Sequence, residues 1–141
     1  MVFQTIVEQR RNDEYRNKYD VETGLFHKTE YKSLLFQRNY KGIYGWLKGY
    51  GSPPDHHLDV FTLTNRDFEL GSIIDVKVIG VFIRNDGDNK FIAVEITRKE
   101  NDIADLSKDE QLMLFNIYPN VREGEGWYGQ IRAMELIEEY N

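Results

Sequence analysis

Two stretches of the chain are long, apolar and rich in β-branched residues. Residues 71–83 (GSIIDVKVIGVFI) and 90–96 (KFIAVEI) predict strands, because branched side chains suit a pleated, packed surface. Asn85-Asp86-Gly87-Asp88 lies between them, and Asp-Gly flanked by two such runs predicts a hairpin. The pattern is weaker before residue 70. Residues 3–7 alternate, residues 16–20 lead into the turn Glu22-Thr23-Gly24, and the apolar run Val60-Phe61-Thr62-Leu63 follows a second turn. Helical spacing appears only near the C-terminus. Ser107 with Glu110 fits a capping box, so a helix should run to about Asn116, with Pro119 preventing continuation. Ala133, Leu136, Ile137 and Tyr140 stand at i, i+3, i+4 and i+7, which predicts a last helix over about 130–140 with Glu135, Glu138 and Glu139 toward solvent. Trp46 and Trp127 read as core residues. Strands first and helices last predict one α+β domain over residues 1–141, a small, mostly antiparallel barrel with two C-terminal helices packed outside.

Composition narrows the function. A length of 141 residues with 40% hydrophobic content supports a single core. The net charge of −6 repels a phosphate backbone, so no nucleic-acid partner is expected, although a local basic pocket could still hold a small anion. No apolar run approaches the roughly 20 residues that span a bilayer, so no membrane partner is expected. Without cysteine, neither a disulfide nor a thiolate zinc site can form, which fits a cytoplasmic location. The N-terminal residues turn charged too early for a signal peptide.

Residues 42–60 (GIYGWLKGYGSPPDHHLDV) concentrate candidate chemistry. Gly51-Ser52-Pro53-Pro54 is a rigid turn, and Asp55, His56, His57 and Asp59 follow it at the entrance to an apolar run. Three other places gather polar groups: Glu8 with Arg16 and Lys18, the hairpin tip Asp86, Asp88 and Lys90, and Tyr118 beside Pro119. In one small barrel these can converge at a single mouth. Carboxylates gathered there repel one another unless a divalent cation neutralises them, and a hard ion such as Mg2+ is the natural choice, with Mn2+ or Zn2+ as alternatives. Arg16, Lys18, Lys32 and Lys90 would then hold phosphate oxygens while tyrosine hydroxyls donate hydrogen bonds. Each residue also has a purely structural reading: Asp86 and Asp88 as turn formers, His56 and His57 as loop histidines, Arg16 and Lys18 as a solvated strand face, and Tyr40, Tyr44 and Tyr118 as packing.

The order of the pieces resembles the soluble family I inorganic pyrophosphatases from about Ile6 to Tyr140. Ile6-Val7-Glu8 and residues 16–26 (RNKYDVETGLF) look like that family's acidic first strand and its D-x-E-T-G-L-F turn. Tyr40 and Tyr44-Gly45-Trp46-Leu47 approximate its Y-x-x-x-Y-G-(F/Y)-I segment, and Pro54-Asp55-His56-His57-Leu58-Asp59-Val60 falls on its D-G-D-P-x-D-V signature. Residues 70–81 match its long I-G-V strand, and Asp86, Asp88 and Lys90 with Ala93-Val94 match its D…D-x-K hairpin. Ile117-Tyr118-Pro119 stands at its H-Y-K helix end, and Glu125-Gly126-Trp127 at its E-G-W.

The resemblance implies an OB-like, five-stranded antiparallel barrel and metal-dependent hydrolysis of diphosphate, or a related phosphoanhydride, to phosphate. It implies metal contacts from Glu8, Asp59, Asp86 and Asp88, and substrate contacts from Arg16, Tyr44, Lys90 and Tyr118. Two signature aspartates fall on Pro54 and His56, so orientation of the attacking water passes to Asp55 or His56. Lys18 replaces a family glutamate, Lys32 stands near a family arginine, and Pro119 replaces a lysine. Arg16 replaces a lysine with another cation. A diphosphate or other small phosphorylated ligand is the expected partner, and assembly as a homo-oligomer stays open. Three readings follow: a diverged hydrolase, toward which the retained residues lean; a pyrophosphatase-fold protein that binds a phosphorylated ligand or a protein without turnover; and an OB-like module that uses Tyr40, Tyr44, Trp46 and Tyr50 to stack bases or sugars.

Overall fold

The structure is a computed structural model that describes residues 1–140. The described residues form eight strands: β1 Phe3–Arg10, β2 Tyr15–Asp20, β3 Leu25–Lys32, β4 Gly42–Leu47, β5 Asp59–Leu63, β6 Ile73–Ile83, β7 Lys90–Glu95 and β8 Gly126–Gly129. Three α-helices accompany them: α1 Leu34–Gln37, α2 Lys108–Phe115 and α3 Gln130–Glu138. β1, β4, β5, β7 and β6 pair in that order, and β1 pairs again with β6, which closes a five-stranded barrel. β8 extends β6, and β2 with β3 form a separate ribbon. No helix among the described residues is long and apolar enough to cross a membrane.

The barrel is mixed rather than antiparallel. β7 pairs with its hairpin partner β6 on one edge, and closure requires its other edge to meet β5, which runs in the same direction. The parallel register places Asp59 opposite Lys90 and Leu63 opposite Val94. Both strands are covered on both faces. Val60, Phe91 and Ala93 pack with Ala133 and Ile137 of α3, while Phe61, Leu63, Ile92 and Val94 pack with Leu114 of α2. Two-sided burial is why these strands read as continuous apolar runs instead of alternating ones.

The two C-terminal helices form where the spacing predicts them. Ala133 and Ile137 are buried, while Glu135, Glu138 and Glu139 are exposed. At α2, the Glu110 N–H donates to Ser107 Oγ (3.2 Å), but the returning half of the box is diverted. The Glu110 carboxylate accepts from both terminal nitrogens of Arg98 at 2.9 Å, and these bonds hold its pKa below the ordinary carboxylate range. Trp46 is buried as expected, whereas Trp127 is half-buried beside Phe82 and Phe115. α1 and β8 escape the periodicity argument because each is a four-residue element.

β1 carries a bulge that matters for the site. Val7 pairs with Gly45 and Gln9 with Tyr44, so Glu8 is the extra residue. The neighbouring backbone comes close: a Cβ on Gly45 would run into the Ile6 carbonyl oxygen. Glycine at 45 is therefore required by strand contact. Gly45→Ala should lower stability by about 1–3 kcal/mol, read as a fall in the urea midpoint with an unchanged slope; full stability in that variant would show that the bulge can relax.

Candidate functional site

One end of the barrel gathers charge from elements far apart in sequence. β5 and β7 both begin there, with Asp59 and Lys90 as their first residues. Lys90 Nζ donates to Asp59 Oδ2 at 2.8 Å, to Asp88 Oδ2 at 3.1 Å and to Tyr44 Oη at 3.1 Å. An ammonium has three donors, and all three are used. The Lys90 and Asp59 side chains are 8% and 9% exposed, so the ion pair is buried. Asp59 and Asp88 thus share one cation at one end of the barrel.

The other oxygen of Asp59, Oδ1, lies 2.8 Å from His57 Nε2, and His57 Nδ1 lies 2.6 Å from the Asp55 carbonyl oxygen. His57 thus spans the Asp55 carbonyl and the Asp59 carboxylate. Tyr44, on β4, has its hydroxyl pKa raised by burial and by the neighbouring Asp59 charge. Glu8, at the β1 bulge, is 9% exposed. Burial and, next, the Asp59 charge push its carboxyl up to about 7, against weaker lowering by His57, Arg16 and Lys90.

Beside this cluster opens a cavity of about 370 Å³ whose lining includes Arg16, Lys32, Arg84, Lys90, Tyr44 and Tyr118. Four cations from four segments face one space in a chain of net charge −6. Lys32 is 3.4 Å from Glu14, and Arg84 is 3.7 Å from Asp86 and 3.8 Å from Asp88. Arg16 is the one cavity cation without a carboxylate partner among the described residues. It is held there by its neighbour: Asn17 N–H donates to Gln9 Oε1 (2.7 Å), Gln9 Nε2 donates to the Asn17 carbonyl (2.8 Å), and Asn17 Nδ2 donates to the Glu8 carbonyl (3.1 Å). These bonds fasten the β2–β3 ribbon to the bulge. Tyr118 is fixed by stacking on Phe82, with centroids 4.5 Å apart and planes 6° apart. Burial raises its hydroxyl pKa.

Several residues singled out in the sequence are placed differently. Asp55 and His56 are exposed, and neither lines this cavity. His56 stacks on Tyr140 at 5.0 Å, and its carbonyl accepts from the Tyr140 hydroxyl at 3.3 Å. The turn before them needs Gly51: its φ is +82°, and a Cβ there would meet the His56 carbonyl. The histidine that reaches Asp59 is His57. Asp86 is exposed, and its Oδ1 accepts the Asp88 N–H at 2.9 Å; this turn bond holds its pKa low. Lys18 is exposed opposite His27 and does not line the cavity. Tyr40 is buried in the apolar core. Sequence reasoning missed Arg84 and Gln9, and it named His57 as a candidate without giving it a role. Arg84 follows the β-branched run 71–83 and precedes Asp86 by two residues, so its position at the hairpin shoulder was the available signal.

Among the described residues, no three histidine or acidic side chains converge closely enough to cage an ion by themselves. The donors fit a looser arrangement. Glu8 and Asp59 are hard oxygen donors close enough to raise the proton affinity of Glu8, and a cation beside them would relieve that repulsion. Mg2+ keeps several waters and needs few protein ligands.

The fold and this end of the barrel define an OB-like barrel protein with a cavity lined by cations. A family profile described as inorganic pyrophosphatase matches residues 5–141. The chain belongs to the inorganic pyrophosphatase family. It is 27% identical over 156 residues to an inorganic pyrophosphatase of Sulfolobus acidocaldarius, covering 97% of this chain and 88% of the relative. Its fold matches the crystal structure of an inorganic pyrophosphatase from Ehrlichia chaffeensis with a TM-score of 0.78 at 21% identity, over 99% of this chain and 93% of that one. A crystal structure of an inorganic pyrophosphatase from Neisseria gonorrhoeae gives 0.75 at 18% identity, over 99% and 88%.

Glu8 makes stability depend on pH. Its folded pKa of about 7 lies above the ordinary 4.5, so its contribution is full below pH 4.5 and is lost as pH rises through 7. The loss is at most about 3 kcal/mol. In metal-free solution Glu8→Gln should therefore be about 1–3 kcal/mol more stable than the parent at pH 8, with the gap closing near pH 4.5. Urea unfolding at both pH values checks this; a variant no more stable at pH 8 would mean that the carboxylate is not destabilised.

Proposed function

We propose that this protein hydrolyses diphosphate, or a closely related phosphoanhydride, to phosphate at the mouth of the barrel. The observation that carries the reading is the convergence of Arg16, Lys32, Arg84 and Lys90 on one cavity beside the buried carboxyls of Glu8 and Asp59. The cations that line the cavity suit phosphoryl oxygens, and the buried carboxyls behind Lys90 and Tyr44 suit a divalent ion. Glu8 and Asp59, with Asp88 at the rim, are the residues we assign to holding Mg2+. When bound, such an ion would supply Lewis acidity, neutralise the acidic cluster and acidify water.

The chain's own groups then divide the work. Arg16, without a carboxylate partner among the described residues, presents a planar fork to the terminal phosphate oxygens. Lys90 orients Asp59, Asp88 and Tyr44 and adds positive charge beside the leaving oxygen. Tyr44 and Tyr118 keep their protons and donate hydrogen bonds. Asp59, fixed between His57 and Lys90, is the nearest carboxylate with which to orient a water.

A second reading has one observation in its favour. Asp55 and His56, which stand on or beside the family's signature aspartates, do not line the cavity. A protein lacking that base would bind the anion and turn it over slowly. Phosphate release from diphosphate with Mg2+ should be saturable. Arg16→Ala should raise KM about tenfold or more by removing a charged contact. Asp59→Asn should lower kcat by about 10²–10³-fold. Absence of turnover with Mg2+, Mn2+ and Zn2+, together with measurable diphosphate binding, would select the second reading; absence of both would reject the site.

A further inference from the structure

The four cavity cations are not equally free to bind an anion. Lys90 uses all three donors within the protein, and Lys32 lies 3.4 Å from Glu14. The Arg84 guanidinium makes no hydrogen bond among the described residues. Its nearest carboxylates, Asp86 and Asp88, stand 3.7 and 3.8 Å away, beyond hydrogen-bond length, on side chains more than half exposed. Water screens such contacts, so they are readily given up. The root of the side chain is nonetheless fixed. The Arg84 N–H donates to Asn89 Oδ1 at 2.9 Å, and the Asn85 N–H donates to Glu125 Oε2 at 3.2 Å. The guanidinium carbon lies over the Tyr118 ring, 5.6 Å from its centre, and Phe82 pins that ring by stacking. A donor fork is therefore held at the cavity with its N–H groups open. Its neighbour is also defined: Asp88 Oδ2 lies 3.1 Å from Lys90 Nζ and 3.8 Å from Arg84, so the two cations flank one carboxylate oxygen. Pro119 stands where the family pattern carries a lysine after the tyrosine, and Arg84 returns a positive charge to Tyr118 from a different segment.

We propose that Arg84 is a substrate-binding and catalytic residue that grips the departing phosphate of diphosphate, while Arg16 holds the phosphoryl group that water attacks. This inference rests on the phosphoanhydride reading of the same site and gives Arg84 a role in it. In the reaction, the oxygen of water bonds to one phosphorus. The bond from that phosphorus to the bridging oxygen breaks, the bridging oxygen leaves with the second phosphate, and a proton passes to solvent. Negative charge grows on the departing phosphate as that bond breaks. Arg84, beside Lys90 at the leaving oxygen, then binds it more strongly than in the ground state, so the contact acts on kcat as well as on binding.

Calorimetric titration with methylenediphosphonate, in which carbon replaces the bridging oxygen, reads binding apart from turnover when Mg2+ is present. Arg84→Ala is expected to weaken the analogue about tenfold and to lower kcat for diphosphate about tenfold or more. Arg84→Lys keeps the charge without the fork and is expected to recover only part of both losses. Because the two arginines hold different phosphoryl groups, replacing both with alanine should weaken the analogue by about the product of the two single losses. Mg2+ titrated alone tests the competing role, in which Arg84 only neutralises the hairpin carboxylates. Tighter Mg2+ binding by Arg84→Ala, with the analogue unchanged within about twofold, would overturn the inference. Should the alanine variant not fold, Arg84→Lys decides: affinity and kcat equal to the parent's overturn the fork. If the parent binds the analogue and hydrolyses diphosphate while Arg84→Ala does both equally well, the inference fails and the reading of the site stands. If the parent does neither, both fail.

Discussion

The Lys90 ammonium is the constraint around which this end of the molecule is arranged. Removing a charged amine from water is costly unless every donor finds an acceptor. Lys90 has its three acceptors, and they come from three places: Asp59 on β5, Tyr44 on β4 and Asp88 on the hairpin before β7. The parallel register of β5 with β7 sets the first contact, and the short hairpin return sets the last. Withdrawing one partner of such a pair leaves the other charge buried and uncompensated, at a cost of about 3–5 kcal/mol. The barrel closure and the site are therefore one arrangement. Strand register places the charges, and the need to satisfy them holds the register.

The same end carries opposite electrostatic demands. Cations from the β2–β3 ribbon, the β6 shoulder and β7 collect positive potential on one wall, within a chain that is acidic as a whole. Close to Arg16 and Lys90 the Glu8 carboxyl is buried near Asp59 and is held at a raised pKa. Such a pairing is unfavourable in an empty protein and favourable once ions of both signs are bound. The bulge that aims Glu8 is possible because Gly45 lets the two backbones touch, and the Gln9–Asn17 bonds from that bulge carry Arg16 to the cavity. A local irregularity in one strand thus sets both a carboxylate and a cation.

Much of the fold was legible. The β6–β7 hairpin, the α2 cap at Ser107 and the buried stripe of α3 each follow from a local pattern that tertiary packing reinforces. The family resemblance was legible too, because it depends on the order of short motifs. The parallel β5–β7 pairing was not, since a continuous apolar run reports burial on two faces and is silent on the direction of its neighbour. Among site residues, Glu8, Asp59, Asp88, Lys90 and Tyr44 were named from sequence, and the structure brings them together. Asp55 and His56 were named by their place in a motif. The turn at Gly51 and the stack on Tyr140 send them elsewhere, and His57 meets Asp59 instead.

Sequence alone therefore determined the long β6 and β7 strands and the two C-terminal helices, where the turn before Asp55 falls, and which charged residues are available. These are properties of neighbouring residues, and periodicity, capping and turn chemistry act over only a few positions. Tertiary structure decided which of those charges meet. Lys90 finds Asp59 across 31 positions and Tyr44 across 46. Contacts of that range depend on how the barrel closes, and closure is settled by the packing of all its strands at once.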